Sequence, residues 1–410
     1  MDGGKGVAPL IKRCPICERA VETVLSLPMR DLLGAESRDY AQQVGICRHC
    51  GFIFTQNPFS AEQLLNRYKK ESKFEFDSDA YLGEPPVKYR QRAERQKHFI
   101  EESLALIDDD FSSMLEVGAA AGYNLSLYPN KRRMGIEPSE RNCRSAKKKY
   151  GVSMFPGMWQ EYKKKQYETI EMGGVKRYDL IFLSMILEHI VDPFQFIEEL
   201  SSIANKFFFI EVPTLDYKVE EEPYGMMAEE HVNIFTLEGL HSLMAKAGCS
   251  LVNAEIYFGF DEYLPAGFPA LMTFWRKGGQ DAFRTPVLSS QQVLENYLSN
   301  SKRLLAEVDR KIAAIPSEER LAVWGIGHHS AMLLANTSLR DKNIVAAWDS
   351  DTRKEGSTFA GIDVMPFSEK QRKDHGVEAV LLTTYTAQKA IEKVIQSMDV
   401  LMKYYTLYDM

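Results

Sequence analysis

Through the middle of the chain, short apolar runs alternate with stretches whose apolar positions recur at helical spacing. Met114–Val117, Arg133–Glu137, Val152–Phe155, Tyr178–His189 (a strand and its exit) and Lys206–Pro213 read as strands. The fourth is apolar almost throughout, as strands buried on both faces are. Helices are predicted between them: one opens near Tyr123, and another begins at Glu188–Pro193, where Pro193 suits a first turn. Strand and helix in alternation predict a doubly wound parallel sheet over residues 110–275, with its ligand at the carboxyl ends of the strands.

The pattern changes on either side. Ala61, Leu64, Leu65 and Tyr68 have helical spacing, an aromatic stretch follows at Phe74–Ser78, and a basic helix is predicted from Val87 to Leu106. That helix is either a packed connector or a cover over the central cleft. Gln291–Ile312 predicts a long amphipathic helix. Beyond it, strands at Leu321–Trp324, Ile344–Asp349 and Ala379–Thr384 predict a smaller Rossmann-like unit. The domain reading is 1–66, a connector or lid at 67–109, 110–275, a helical linker at 276–316, and 317–410. A chain of 410 residues exceeds the about 250–300 that one core covers, which agrees.

Charge narrows the partners. A net charge of −7 argues against a general nucleic-acid or anionic-membrane binder. The basic runs Arg90–Lys97, Lys147–Lys149 and Lys163–Lys165 read as solvated helix faces. No apolar run reaches the ~18 residues of a membrane span, and Met1–Arg13 lacks a secretory signal, so a cytoplasmic protein is expected. Monomer and homodimer both stay open.

Four of six cysteines form two C-x-x-C knuckles, Cys14–Cys17 and Cys47–Cys50. Four thiolates suit the tetrahedral preference of Zn2+ and leave no open position, so a structural zinc is expected. Disulfides are the rival, disfavoured in a reducing cytosol. Cys143 and Cys249 read as buried small hydrophobes.

The candidate chemistry centres on Ser113–Asn124. Glu116 precedes a turn of small residues, Gly118 to Gly122, and Glu137 ends the next strand about 20 residues on, where a carboxylate can grip ribose hydroxyls. Ala120 stands where a dinucleotide fingerprint has its second glycine, and Glu116 would repel a pyrophosphate but attract a cation. An ordinary tight turn without a ligand is the plain alternative. These residues resemble motif I of class I S-adenosylmethionine-dependent methyltransferases. That resemblance implies that the turn lies along the methionine part of the cofactor and that Glu137 holds its ribose. Cofactor contacts are expected from Glu116, Gly118, Ala119, Ala120, Gly122, Tyr123, Asn124, Glu137, Pro138, Gly157, Met158, Leu183, Ser184, Met185 and His189. The pair Glu188-His189 after the fourth strand also recurs in that family.

Two further features carry chemistry. Glu229–Thr236 places His231 beside acids at the mouth of the site, where a histidine can act as a general base; a helix-entry histidine satisfying a backbone group is the alternative, and His189 is a second candidate base. Gly325-Ile326-Gly327 followed by Asp349 is a second glycine turn with an acid, open to a nucleotide or sugar-phosphate ligand, to NAD-dependent oxidoreduction, or to a purely structural role.

Cysteine knuckles, a methyltransferase-like unit, then Val323-Trp324-Gly325-Ile326-Gly327 and Asp349–Gly356 together resemble the nucleotide-sugar C-methyltransferases of bacterial deoxysugar pathways over nearly the whole chain. The resemblance implies a nucleoside-diphosphate keto-deoxysugar held between the middle and outer domains. It also implies catalysis by Glu230 and His231: proton abstraction beside a ketone, then in-line methyl transfer to that carbon. Two departures stand out. The family's Y-H-E-H begins here with Ala228 and Glu229, and its Y-x-Y-x-S is Phe74–Ser78, so three tyrosine hydroxyls are gone. O- or N-methylation of another sugar or natural-product intermediate is therefore the rival, with a non-catalytic zinc-ribbon adaptor ranked last.

Overall fold

The computed structural model describes residues 10–31, 38–60, 62–64, 85, 87–168, 176–217, 222–258, 269–279, 289–385, 387–398 and 402–409. The aromatic stretch Phe74–Ser78 and most of the predicted helix near Leu65 lie outside them.

Three strands open the chain: β1 (Glu22–Asp31), β2 (Arg38–Ile46) and β3 (Ile53–Thr55), paired antiparallel in that order. The central sheet follows with β4 (Ser113–Val117), β5 (Arg132–Glu137), β6 (Ser153–Pro156), β7 (Tyr178–Ser184) and β8 (Ala204–Pro213), all parallel. The two-residue strand β9 (Asn233–Ile234) then leaves this sheet and joins β3 antiparallel. β10 (Cys249–Phe258) and β11 (Pro269–Lys277) complete the central sheet, β11 antiparallel to β8. Its order is β6-β5-β4-β7-β8-β11-β10, so the direction of winding reverses between β4 and β7. A crevice opens at the strand ends there, the usual ligand position in open α/β sheets.

The C-terminal sheet comprises β12 (Leu321–Trp324), β13 (Ile344–Trp348), β14 (Thr358–Phe359), β15 (Ile362–Met365), β16 (Ala379–Leu382) and β17 (Lys403–Thr406). Its order, β14-β15-β13-β12-β16-β17, is parallel except for β14 and reverses between β12 and β16.

Every strand read from the sequence is present, shifted by a residue or so at most ends. The helix expected near Tyr123 is a single turn, Tyr123–Ser126. Strands β1, β2, β3, β9, β10, β11, β14, β15 and β17 have no counterpart in the sequence reading. In β1 and β2, Pro28, Gln42 and Gln43 interrupt the apolar alternation that marks a strand.

Packing explains how the parts hold together. On one face of the central sheet, Phe99 and Ile100 of the helix Val87–Ala105 pack on Phe182, Phe207 and Phe209. On the other, the helices Pro193–Ile203 and Leu237–Lys246 share a core with Phe52, Phe54 and the cysteine knuckles. Leu27, Met29 and Val44 of the small sheet join Val293 and Tyr297 of the long helix Ser290–Ala313 and Leu333 of the C-terminal unit in a third core. At about 1.5–3 kcal/mol for each large side chain fully buried, such seams hold the small sheet firmly against both larger ones. Among the described residues no helix is long and apolar enough to cross a membrane.

Candidate active site

The turn after β4 runs Gly118 to Gly122 with left-handed backbone at Gly118 (φ 75°), Ala120 (φ 43°) and Gly122 (φ 75°). Gly122 is required: its φ favours glycine, and a Cβ there would lie 2.9 Å from the Cβ of Ala146. Ala120 takes the same unusual backbone region with a side chain, a strained placement of the kind that clusters at ligand sites.

The two acids read from the sequence meet at this turn. Glu137, at the end of β5, accepts from the Ala120 N–H (2.9 Å) and the Ser139 N–H (3.0 Å), so it fixes the turn's shape. A carboxylate has about four acceptor positions, which leaves capacity for ribose hydroxyls. Glu116 is 3 % exposed, and its Oε1 accepts from Asn124 Nδ2 at 2.7 Å. Its Oε2 is buried with no hydrogen-bond partner. Burial pushes the Glu116 carboxyl up to about 8; Asn124 opposes this and the Glu137 charge adds to it.

The remaining expected contacts gather at the same strand ends. Pro138 follows β5. Gly157 and Met158 follow β6, the Gly157 N–H donating to the Glu137 carbonyl at 3.0 Å. Met185 follows β7 with φ 53°. Leu183 is fully buried in the core, so its side chain does not reach the crevice, and Ala119 is likewise a core residue. Tyr123 stands edge-on to Tyr150, with ring centroids 6.0 Å apart. An S-adenosylmethionine molecule fits this cradle on chemistry and shape. An unpaired buried carboxylate oxygen awaits a positive charge, and a Cβ at Gly118 would close the gap to the Ile186 side chain at 2.3 Å.

Ser184 belongs to a network that sequence reading missed. Glu211, at the end of β8 and 0 % exposed, accepts from Arg92 Nε (3.1 Å), Gln96 Nε2 (2.6 Å), Ser184 Oγ (2.5 Å) and the Tyr257 hydroxyl. Arg92 Nη2 also donates to Ser184 Oγ at 2.9 Å. Burial opposes the Glu211 charge, but the Arg92 guanidinium outweighs it and holds the carboxyl below its ordinary range. The helix Val87–Ala105 therefore does more than connect, since Arg92 and Gln96 reach the ends of β7 and β8. Arg92 lies in a basic run with no local mark separating it from a solvated face. The one available signal was Glu211, an acid inside an apolar strand.

At the exit of β7 lie Glu188 and His189, and Asn233 Nδ2 clips this turn to β9 by donating to the carbonyls of Leu187 (2.8 Å) and Ile190 (2.6 Å). That clip sets His189 against His231, their rings 5.0 Å apart. Ligating atoms of Glu188, His189 and His231 all lie within 4.8 Å of one another. His189 Nδ1 is 2.9 Å from the Glu230 carbonyl oxygen, so Nδ1 carries the proton and Nε2 is left bare in the neutral ring. His189, expected at the cofactor, thus sits with the candidate catalytic pair. Burial, reinforced by His189, drives His231 below its usual pKa and keeps its imidazole neutral. Burial opposes ionisation of Glu230, and a proton taken up by His231 would favour its carboxylate. Burial pushes Glu188 up to about 7, and its Oε2 is also unpartnered.

The small sheet supports this segment directly. The Thr55 N–H donates to the Val232 carbonyl at 2.8 Å, and the Tyr40 hydroxyl donates to Glu229. The thiols of Cys14 and Cys50 are 3.5 Å apart and those of Cys17 and Cys47 3.4 Å, with all four within 4.8 Å and none disulfide-bonded. Four convergent thiols at these separations suit a tetrahedral metal.

At the second glycine turn, Asp349 accepts from the Ile326 N–H (2.8 Å) and the Asp351 N–H (2.9 Å) and pairs with Lys354 Nζ at 2.7 Å.

The parallel sheet, its reversal point and the paired acids define a domain class, and residues 89–254 match the family model described as a methyltransferase domain. The protein is an S-adenosylmethionine-dependent methyltransferase. It is 20 % identical over 369 residues to the C-methyltransferase NovU of Streptomyces niveus, covering 83 % of this chain and 80 % of that one. A shorter match, 35 % identical over 99 residues, is to the redox-sensing transcriptional repressor Rex 2 of Enterococcus faecalis, covering 23 % of this chain and 46 % of that protein. Among solved structures, the 1,6-didemethyltoxoflavin-N1-methyltransferase of Burkholderia thailandensis is 14 % identical with a TM-score of 0.39, covering 61 % of this chain and all of its own.

Proposed function

We propose that the protein methylates a carbon of a nucleotide-linked keto-deoxysugar. The observation that carries this reading is the seating of His231 and Glu230, with His189, beside the strand ends that hold Glu116 and Glu137. The likeness to a named C-methyltransferase over most of both chains supports carbon as the accepting atom.

S-adenosylmethionine, when bound, supplies a methyl group on a positively charged sulfur that leaves as a neutral thioether. Glu116 would ionise to meet the cofactor's positive charge, and Glu137 would hold its ribose. Neutral His231 takes the proton from the carbon beside the ketone, leaving the electron pair as an enolate. The Glu230 carboxylate stabilises the imidazolium so formed. A positioned base of this kind contributes about 10²–10⁴ in rate. His189, its tautomer set by the Glu230 carbonyl, orients the pair. Arg92 and Glu211 hold the helix Val87–Ala105 against the crevice and help exclude water. Cys14, Cys17, Cys47 and Cys50 would hold a structural Zn2+, folding the module that braces β9.

A second reading, O- or N-methylation, draws on the position before the acids. Ala228, buried, supplies no hydroxyl where the C-methylating family has a tyrosine, and Glu229, in place of that family's histidine, is engaged by Tyr40. Incubation with methyl-labelled S-adenosylmethionine and a panel of nucleotide-linked keto-sugars tests the proposal. Label on carbon in any of them supports it. Label on oxygen or nitrogen moves the reading to the second class, and no label in any of them rejects the sugar acceptor.

A further inference from the structure

The segment leading into Glu230 and His231 is clamped by the C-terminal part of the chain. The Tyr224 N–H donates to Ser301 Oγ at 3.2 Å and the Met226 N–H to the Tyr297 hydroxyl at 2.9 Å, both on the long helix. Glu222 pairs with His329 Nδ1 at 2.8 Å, and His329 also meets the Tyr408 hydroxyl. His329 is the second residue of the helix His328–Asn336, which directly follows the Gly325–Gly327 turn. The C-terminal sheet therefore presents the end of its glycine turn to the segment that carries the candidate base.

His328 stands at that junction. Both of its ring nitrogens are buried, and neither has a hydrogen-bond partner; no other described side chain has two such atoms. A neutral imidazole has one donor and one acceptor, and burying both unpaired is costly, so native structures seldom keep such a ring without a use for it. Its electrostatic neighbours are Glu230 and His231, each of which responds to it. The Lys354 ammonium lies nearby at the same turn but is engaged by Asp349 and the Ile326 carbonyl.

We propose that His328 is an acceptor-binding residue, supplied by the C-terminal sheet to the pocket of Glu230 and His231, where its ring nitrogens exchange hydrogen bonds with oxygens of the acceptor sugar. The inference rests on the acceptor reading above for the ligand's identity, but not for the placement of His328. It gives the C-terminal unit a role in recognising the acceptor without binding a cofactor of its own.

The test has two arms. In the full chain labelled at histidine, the His328 imidazole resonances are recorded by NMR at one pH with and without Glu230→Gln. Loss of a carboxylate beside the ring should shift them, because the ring nuclei sense a neighbouring charge. Unshifted resonances overturn the inference whatever the acceptor proves to be. In the second arm, His328→Ala and His328→Gln are assayed on whichever keto-sugar the wild-type protein methylates. His328→Ala should raise the acceptor KM on the order of tenfold, with His328→Gln recovering part of it and cofactor affinity unchanged within about twofold. An unchanged acceptor KM also overturns it. If the wild-type protein methylates no keto-sugar, the acceptor reading fails, and the NMR arm decides the placement of His328.

Discussion

The central and C-terminal sheets build the same device and finish it differently. In each, the first strand runs into a small-residue turn, and an acid ending the second strand fixes that turn by accepting one of its amides and the amide two residues further on. Glu137 does this with Ala120 and Ser139, and Asp349 with Ile326 and Asp351. The difference is what stands beside the acid. The central turn has Glu116, with a buried oxygen that nothing satisfies. The C-terminal turn has Lys354, which lies on Asp349 and closes the charge balance internally. One unit is left wanting a cation; the other is already neutral. The same backbone scaffold can thus be a cofactor seat or a structural wall, and one neighbouring side chain decides which.

That contrast can be broken in several places. If chemistry belongs to the central sheet's crevice, His231→Gln should cut turnover by about 10²–10⁴ while cofactor affinity stays within about twofold, by single-turnover kinetics and calorimetry. Unaltered turnover would leave the base elsewhere. Next, Glu116→Gln should weaken S-adenosylmethionine binding on the order of 10²-fold, since it removes a buried partner of a cation. A calorimetric Kd equal to wild type would equate the two turns.

A smaller effect follows from the Glu116 carboxyl, pushed up to about 8 by burial. Below that pH it is protonated, and binding a cation must expel the proton. Affinity should therefore fall as pH drops from 8, by up to about tenfold per unit, and calorimetry at pH 7 in buffers of different ionisation heat should register about one proton released. The same shift acts on the fold with a defined sign. A folded pKa above the ordinary 4.5 means that Glu116 costs stability increasingly as pH rises from there to about 8. Glu116→Gln without cofactor should then raise Tm at pH 9 and barely change it at pH 4. The smallest effect is expected at the other turn. Lys354→Met should lower stability by about 1–2 kcal/mol, because the pair is part-exposed, and leave cofactor affinity untouched. Altered cofactor affinity in that variant would show that the C-terminal turn shares in the seat.

What could be read from the sequence follows how locally each feature is encoded. The central turn was legible because Glu116, Gly118, Gly122 and Glu137 lie within one strand–helix–strand unit, as were the two cysteine knuckles. His231 stood out as a histidine beside acids and Glu230 through family resemblance, and only the fold shows why they face His189: Asn233 ties β9 to the turn after β7. Arg92 and Glu211 are 119 residues apart and look like a surface cation and an oddity in a strand until the sheet is assembled. His328 was legible as part of a glycine turn but not as a neighbour of Glu230, since that juxtaposition depends on how the C-terminal unit docks.

Strand β9 follows two residues after His231, yet its hydrogen-bonding partner is β3, a strand from the cysteine-bearing opening of the chain. Seating the cofactor and turning over substrate would therefore draw on different lengths of chain. The groups proposed to grip S-adenosylmethionine all follow residue 87, whereas the segment of the proposed base is held by a strand that itself follows the cysteine knuckles.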